Sequence, residues 1–127
     1  MALPDVLIAD DDQLICAMIR DALADVPCTV RTVDSGEAAL AELQKRAPAV
    51  LVVDLVMPGK SGLEVLHEVR QRKLPTRVLV VSSLDVEALV RTAMADGAHG
   101  FLSKPLHRLE VQSMVRGALE AAAAGGA

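Results

Sequence analysis

The sequence has 127 residues, 52% of them apolar, with 13 Lys and Arg against 17 Asp and Glu for a net charge of −4. That is one ordinary domain with enough Val, Leu, Ile and Ala to bury a core, and the acidic balance without a basic stripe argues against nonspecific nucleic-acid binding. No apolar stretch approaches the ~20 residues that span a bilayer, "MALPDVL" is no signal peptide, and Cys16 and Cys28 lack any CxxC or Cys/His neighbourhood, which reads as reduced core thiols of a soluble, cytoplasmic protein.

The first expected element is a strand, Val6–Ala9, which runs directly into Asp10, Asp11 and Asp12. Three adjacent carboxylates repel one another unless one takes a proton or a cation arrives. Asp12 precedes an amphipathic run and is best used as a helix N-cap, so it is set apart from the acidic site. Leu14, Ile15, Met18, Ile19, Ala22 and Leu23 form the apolar stripe of that first helix. A second strand, Cys28–Val33, leads to a helix capped by Ser35 and striped by Ala38, Ala39 and Leu43. A third, Ala49–Asp54, leads to "SGLE", Ser61 to Glu64, a capping box that opens the third helix. Arg77–Ser82 is the fourth strand, and Asp85 can cap a helix striped by Leu89, Val90, Ala93 and Met94. Gly100–Ser103 is the fifth. The last helix starts near Arg108, with Met114, Val115, Ala118 and Leu119 facing inward. Residues 1–122 form one domain, and 123–127 are expected to leave the helix as a flexible tail or the start of a linker.

Three strands show almost no polar alternation, which marks strands covered on both faces in a parallel sheet. Strand and helix alternating five times predict an α/β fold, a doubly wound parallel sheet with helices on both faces. Reactive groups in such a sheet lie beyond the carboxyl ends of the strands. Asp10 and Asp11 follow the first strand, Asp54 ends the third, Ser82 and Ser83 end the fourth, and Lys104 follows the fifth. Singly, each has a plainer use as turn former, loop hydroxyl or solvated amine. Their shared edge is harder to explain that way. Carboxylates with one ammonium suit a hard divalent cation and a phosphoryl group bridging metal and lysine. Magnesium takes one or two carboxylates and keeps waters, and a carboxylate can itself become an aspartyl-phosphate. The aspartates are therefore expected to hold a metal ion.

From "VLIADDD" through "VVDLVMPGKSG", "VLVVSS" and "GAHGFLSKPL" to "SMVRGALEA", the chain resembles the receiver domain of two-component response regulators. The resemblance implies a five-stranded sheet of order 2-1-3-4-5. It implies that Asp54 accepts the phosphoryl group in the presence of Mg2+, for which Mn2+ can substitute. Asp11 would touch the metal directly, Asp10 through water, and Val56 would lend its backbone carbonyl. Ser82 would contact the phosphoryl group, and Lys104, whose bond to Pro105 is often cis in the family, would stabilise its charge. Ser82 and Phe101 would form the switch that alters the face of helix four, strand five and helix five. Phe101, the sole aromatic residue, could otherwise be ordinary core filling.

The implied partners are a sensor histidine kinase or phosphotransfer protein, and a downstream protein or fused output domain. A homodimer on activation is compatible with this; nucleic acid or membrane binding by this domain is not expected. No separate substrate turnover is expected, so the protein is not read as an enzyme. A phosphatase with a nucleophilic Asp would want a second acid two residues on, where Val56 stands, and a substrate cap for which no residues remain. An unphosphorylated scaffold of the same fold is the other alternative. Val56 and Leu84, two residues beyond Asp54 and Ser82, are apolar and offer nothing to orient a hydrolytic water, which predicts a phosphorylated state lasting minutes or longer.

Overall fold

The protein is described from a computed structural model covering residues 2–83 and 87–125. Chain order gives β1 (Asp5–Ala9), α1 (Gln13–Ala22), β2 (Thr29–Val33), α2 (Gly36–Lys45) and β3 (Val50–Asp54). These are followed by α3 (Gly62–Gln71), β4 (Arg77–Ser82), α4 (Glu87–Ala95), β5 (Gly100–Ser103) and α5 (Arg108–Gly125). All strand pairs are parallel, in the order β2-β1-β3-β4-β5. The register sets Ala9 beside Val53, Asp54 beside Val81 and Ser82 beside Ser103, so the carboxyl ends of the inner strands finish along one rim.

Two apolar layers enclose the sheet. Leu7, Ala9, Leu51, Val53, Val78 and Val80 pack with α2, α3 and α4 on one face. Val6, Ile8, Val50, Val52, Leu79 and Val81 pack with α1 and α5 on the other. Successive side chains of a strand point to opposite faces, and here both faces are dry. That is why β1, β3 and β4 read as uninterrupted apolar runs. β2 is an edge strand, and none of its residues is fully buried.

Caps fix the helix starts. The Asp12 carboxylate accepts the N–H groups of Leu14 and Ile15, Ser35 accepts that of Ala38, and Ser61 and Glu64 form the reciprocal capping box. Asp85, expected to cap α4, and Leu84 lie outside the described residues.

The structure corrects several expectations. Leu14 and Met18 of α1 are 68% and 41% exposed, while Ile19, Ala22 and Leu23 are buried. The inward stripe follows Ile15, Cys16, Ile19 and Ala22, and Leu14 and Met18 stack four residues apart on its solvent side. Met94 departs from the core of α4 in the same way, at 40% exposure. Cys16 and Cys28 are free thiols but only half-buried, packed at the margin of the core. Residues 123–125 continue α5 instead of leaving it, since a run of alanines is the strongest of helix formers. Phe101 is 47% exposed on β5, which excludes core filling. No helix of the described residues is long and apolar enough to cross a membrane.

Candidate functional site

Asp10 emerges from β1 almost fully buried, 2% exposed. Its N–H donates to the Val33 carbonyl at 3.1 Å, and its Oδ1 accepts the Asp12 N–H at 2.8 Å. Its Oδ2 is buried without a hydrogen-bond partner, 3.7 Å from the Lys104 ammonium. Asp54, at the end of β3 and 5% exposed, accepts the Val56 N–H on Oδ1 at 3.0 Å and the Lys104 ammonium on Oδ2 at 3.1 Å. Asp11 is exposed at the rim, yet carboxylate oxygens of Asp10, Asp11 and Asp54 all lie within 4.8 Å of one another.

Backbone contacts aim these groups. The Leu55 N–H donates to the Val81 carbonyl, so the chain keeps strand geometry past Asp54. Gly62 opens α3 directly beneath, and a methyl group there would collide with the Asp54 carbonyl oxygen and come within 2.8 Å of the Leu55 Cα. Only glycine lets α3 start so close to Asp54. Ser82, buried at the end of β4, accepts the Lys104 N–H on its carbonyl at 2.8 Å. The Lys104–Pro105 bond is cis, as expected. Asp10, Asp11, Asp54, Ser82 and Lys104 therefore share one rim. Phe101 stands apart on β5, in register with Val80 of β4 and open to solvent. Ser83 is exposed.

Two contributors escaped the sequence reading. The Asp12 backbone holds Asp10 while its side chain caps α1. Glu37 reaches from α2 to accept the Lys60 N–H at 3.4 Å, steadying the loop that carries Val56. Nothing in the spacing of "SGEAAL" signals that contact.

The electrostatics are poised for a cation. Burial drives the Asp10 carboxyl up to about 6, with the charges of Asp54 and Asp11 adding to it and the Asp12 N–H and Lys104 opposing it. Burial alone would depress the Lys104 ammonium, but the hydrogen bond and charge of Asp54, with Asp10 and Asp12 behind it, raise it above its ordinary value. A buried carboxylate oxygen without a donor, facing two further carboxylates, is the donor set of a hard, oxygen-seeking ion.

The profile of the response regulator receiver domain matches residues 6–116. The chain belongs to that family. Among relatives of this receiver domain, the transcriptional activator ExaE of Pseudomonas putida is 37% identical over 115 residues, covering 87% of the chain and 53% of that protein. The DNA-binding transcriptional regulator NtrC of Salmonella typhimurium is 35% identical over 116 residues, covering 90% of the chain and 24% of that protein. The receiver domain thus spans about half or less of the curated relatives it matches. Its fold superposes on a signal receiver domain assigned to a LuxO repressor of Vibrio parahaemolyticus, with a TM-score of 0.92 at 25% identity over 98% of this chain and 95% of that one. The receiver domain of NtrX from Brucella abortus gives 0.85 at 27% identity, over 91% and 98%. ExaE and NtrC are both regulators of transcription.

Proposed function

We propose that this receiver domain accepts a phosphoryl group on Asp54 from a sensor histidine kinase or phosphotransfer protein. The observation that carries this reading is the convergence of three carboxylates within 4.8 Å, with the Lys104 ammonium on the acceptor oxygen. A carboxylate oxygen of Asp54 attacks phosphorus as the bond from phosphorus to the donor imidazole breaks. Asp10, Asp11, Asp54 and the Val56 carbonyl would hold Mg2+, with Mn2+ able to substitute; the bound ion supplies charge neutralisation for the incoming phosphoryl oxygens. Lys104 donates to those oxygens in place of its present bond to Asp54. The Ser82 hydroxyl provides a further donor at the same rim.

New charge at the rim then biases the position of Ser82, and Phe101 turns inward from its exposed setting behind it. The face formed by α4, β5 and α5 changes, and a downstream protein, a fused output domain or a second copy of the chain reads it. The receiver unit comprises β1 through α5, acts in the cytoplasm and carries no separate substrate turnover. Val56 and Leu84 leave the acyl phosphate without a group that orients water, so it persists for minutes or longer.

Intact-mass measurement tests the central step. Incubation with Mg2+ and acetyl phosphate adds one phosphoryl group, ~80 Da, and Asp54→Asn abolishes it. Full-rate labelling of Asp54→Asn overturns the assignment.

A further inference from the structure

The pole of the sheet opposite the aspartates carries a second concentration of charge. A cavity of about 480 Å³ opens there between the end of α3, the turn after it, the start of β4, the α4–β5 turn and the last turns of α5. Its charged lining is Arg70, Lys73 and Arg77, with His99 beside them and no Asp or Glu. In a chain of net charge −4 such a purely cationic lining is against the average. Ion pairs among the described residues use other cations throughout. None of the three cations lies within 4 Å of a described carboxylate.

The Arg70 guanidinium lies against Gly97, where an added methyl group would collide with it, and Arg77 Nη2 sits 2.7 Å from the corresponding point on Gly125. His99 accepts the Val78 N–H on Nδ1 at 3.0 Å, which leaves Nε2–H as a donor. Burial, then the charges of Arg77 and Arg70, lower its pKa, as expected where cations crowd one wall.

Lys73 adds an independent observation. It is the sole non-glycine at positive φ among the described residues, at 53°. Its N–H bonds the Arg70 carbonyl and the next N–H bonds the Val69 carbonyl, the helix ending that normally recruits glycine. A side chain there is strained, because its Cβ crowds the following carbonyl oxygen. Basic residues also favour helix carboxyl ends, which accounts for Arg70 in the last turn of α3. It does not account for a lysine in a glycine position at the mouth of a cavity free of acids.

We propose that this cavity binds a small phosphate-bearing anion, of mononucleotide size or less, through Arg70, Lys73, Arg77 and His99. The volume falls in the range of small-ligand pockets, and guanidinium groups grip phosphate oxygens two at a time. The site is independent of the acidic rim, and α5 forms one of its walls.

The test is an amide NMR titration of the full chain at low ionic strength with EDTA, using inorganic phosphate, pyrophosphate and adenosine diphosphate separately. Saturable shifts are expected at Val78, Gly97 and His99 with at least one of these anions. Pyrophosphate and the nucleotide binding equally would place recognition in the phosphates, and a tighter nucleotide would add the apolar wall of Leu66 and Pro75. Arg70→Gln and Lys73→Gly should each weaken binding about tenfold. Lys73→Gly should also raise the melting temperature, so its loss of binding cannot come from unfolding. The proposal is overturned if none of the three anions saturates, if shifts are confined to the surroundings of Lys104, or if both variants bind as the parent does.

Discussion

Replacing Asp10 with Asn should make the metal-free protein more stable, although it removes a charged group from the centre of the candidate site. Burial lifts the Asp10 carboxyl to about 6 in the folded protein, against an ordinary value of 3.8. A carboxyl raised in this way binds more protons folded than unfolded between those values. Stability is therefore lost as pH rises through the window, and the whole penalty is present above it. A rise of that size corresponds to about 3 kcal/mol at neutral pH, and roughly half of that remains at pH 5. The amide keeps the acceptor for the Asp12 N–H but gives up the attraction between Oδ2 and Lys104. The net gain should be about 1–3 kcal/mol at pH 7.5. Urea unfolding of parent and variant in EDTA, at pH 5 and pH 7.5, gives the difference directly and cancels groups that titrate in both. Adding Mg2+ should stabilise the parent by the linkage of binding to folding and erode the variant's advantage, because a ligand is gone. A variant less stable than the parent at pH 7.5 without metal, or a difference indifferent to pH, would refute the claim that burial charges Asp10 at a cost.

Three further substitutions probe what supports the site. Gly62→Ala forces a methyl group against the Asp54 carbonyl; it should lower stability by about 1–3 kcal/mol and slow labelling by acetyl phosphate, measured by urea unfolding and intact mass. Thr76→Val removes a buried hydroxyl that donates to the Pro48 carbonyl at 2.7 Å. It should cost about 1–3 kcal/mol in the same unfolding assay while leaving labelling at the parent rate. Phe101→Ala should cost less than about 1 kcal/mol, because the ring is half in water. Its effect should instead be confined to the phosphorylated state, as loss of the amide NMR shifts that phosphorylation produces along α4 and β5.

The sequence was most legible where one physical demand fixed the residue type. Strands buried on both faces must be apolar throughout, so β1, β3 and β4 stood out and located the rim at which they end. The caps at Asp12, Ser35 and Ser61 were legible because a helix leaves its first N–H groups open and few side chains can fill them. Helix faces were harder to read. Leu14 and Met18 sit one step around α1 from the buried stripe, and periodicity alone cannot separate a residue at the margin of the core from one inside it.

Long-range contacts left still less trace. Glu37 meets the Lys60 N–H across 23 positions of chain, and Arg70, Lys73, Arg77 and His99 come from α3, the turn after it, β4 and the turn before β5 to line one cavity. The acidic rim could be anticipated because strand ends collect there by topology. The basic cavity is assembled from helix ends and turns at the other pole, where no comparable rule operates, and each of its cations passes in the sequence for a solvated surface charge. What distinguishes them is the company they keep: a shared cavity wall, a lysine in left-handed backbone, and no described carboxylate paired with any of the three. Carboxylates crowded at the rim beside a single ammonium are a cost to the isolated fold, and cations without a carboxylate within 4 Å stand at the base. A fold that retains such a cost is suited to a ligand of opposite charge at each pole, and the ligand-linked gain in stability should be measurable separately at the two.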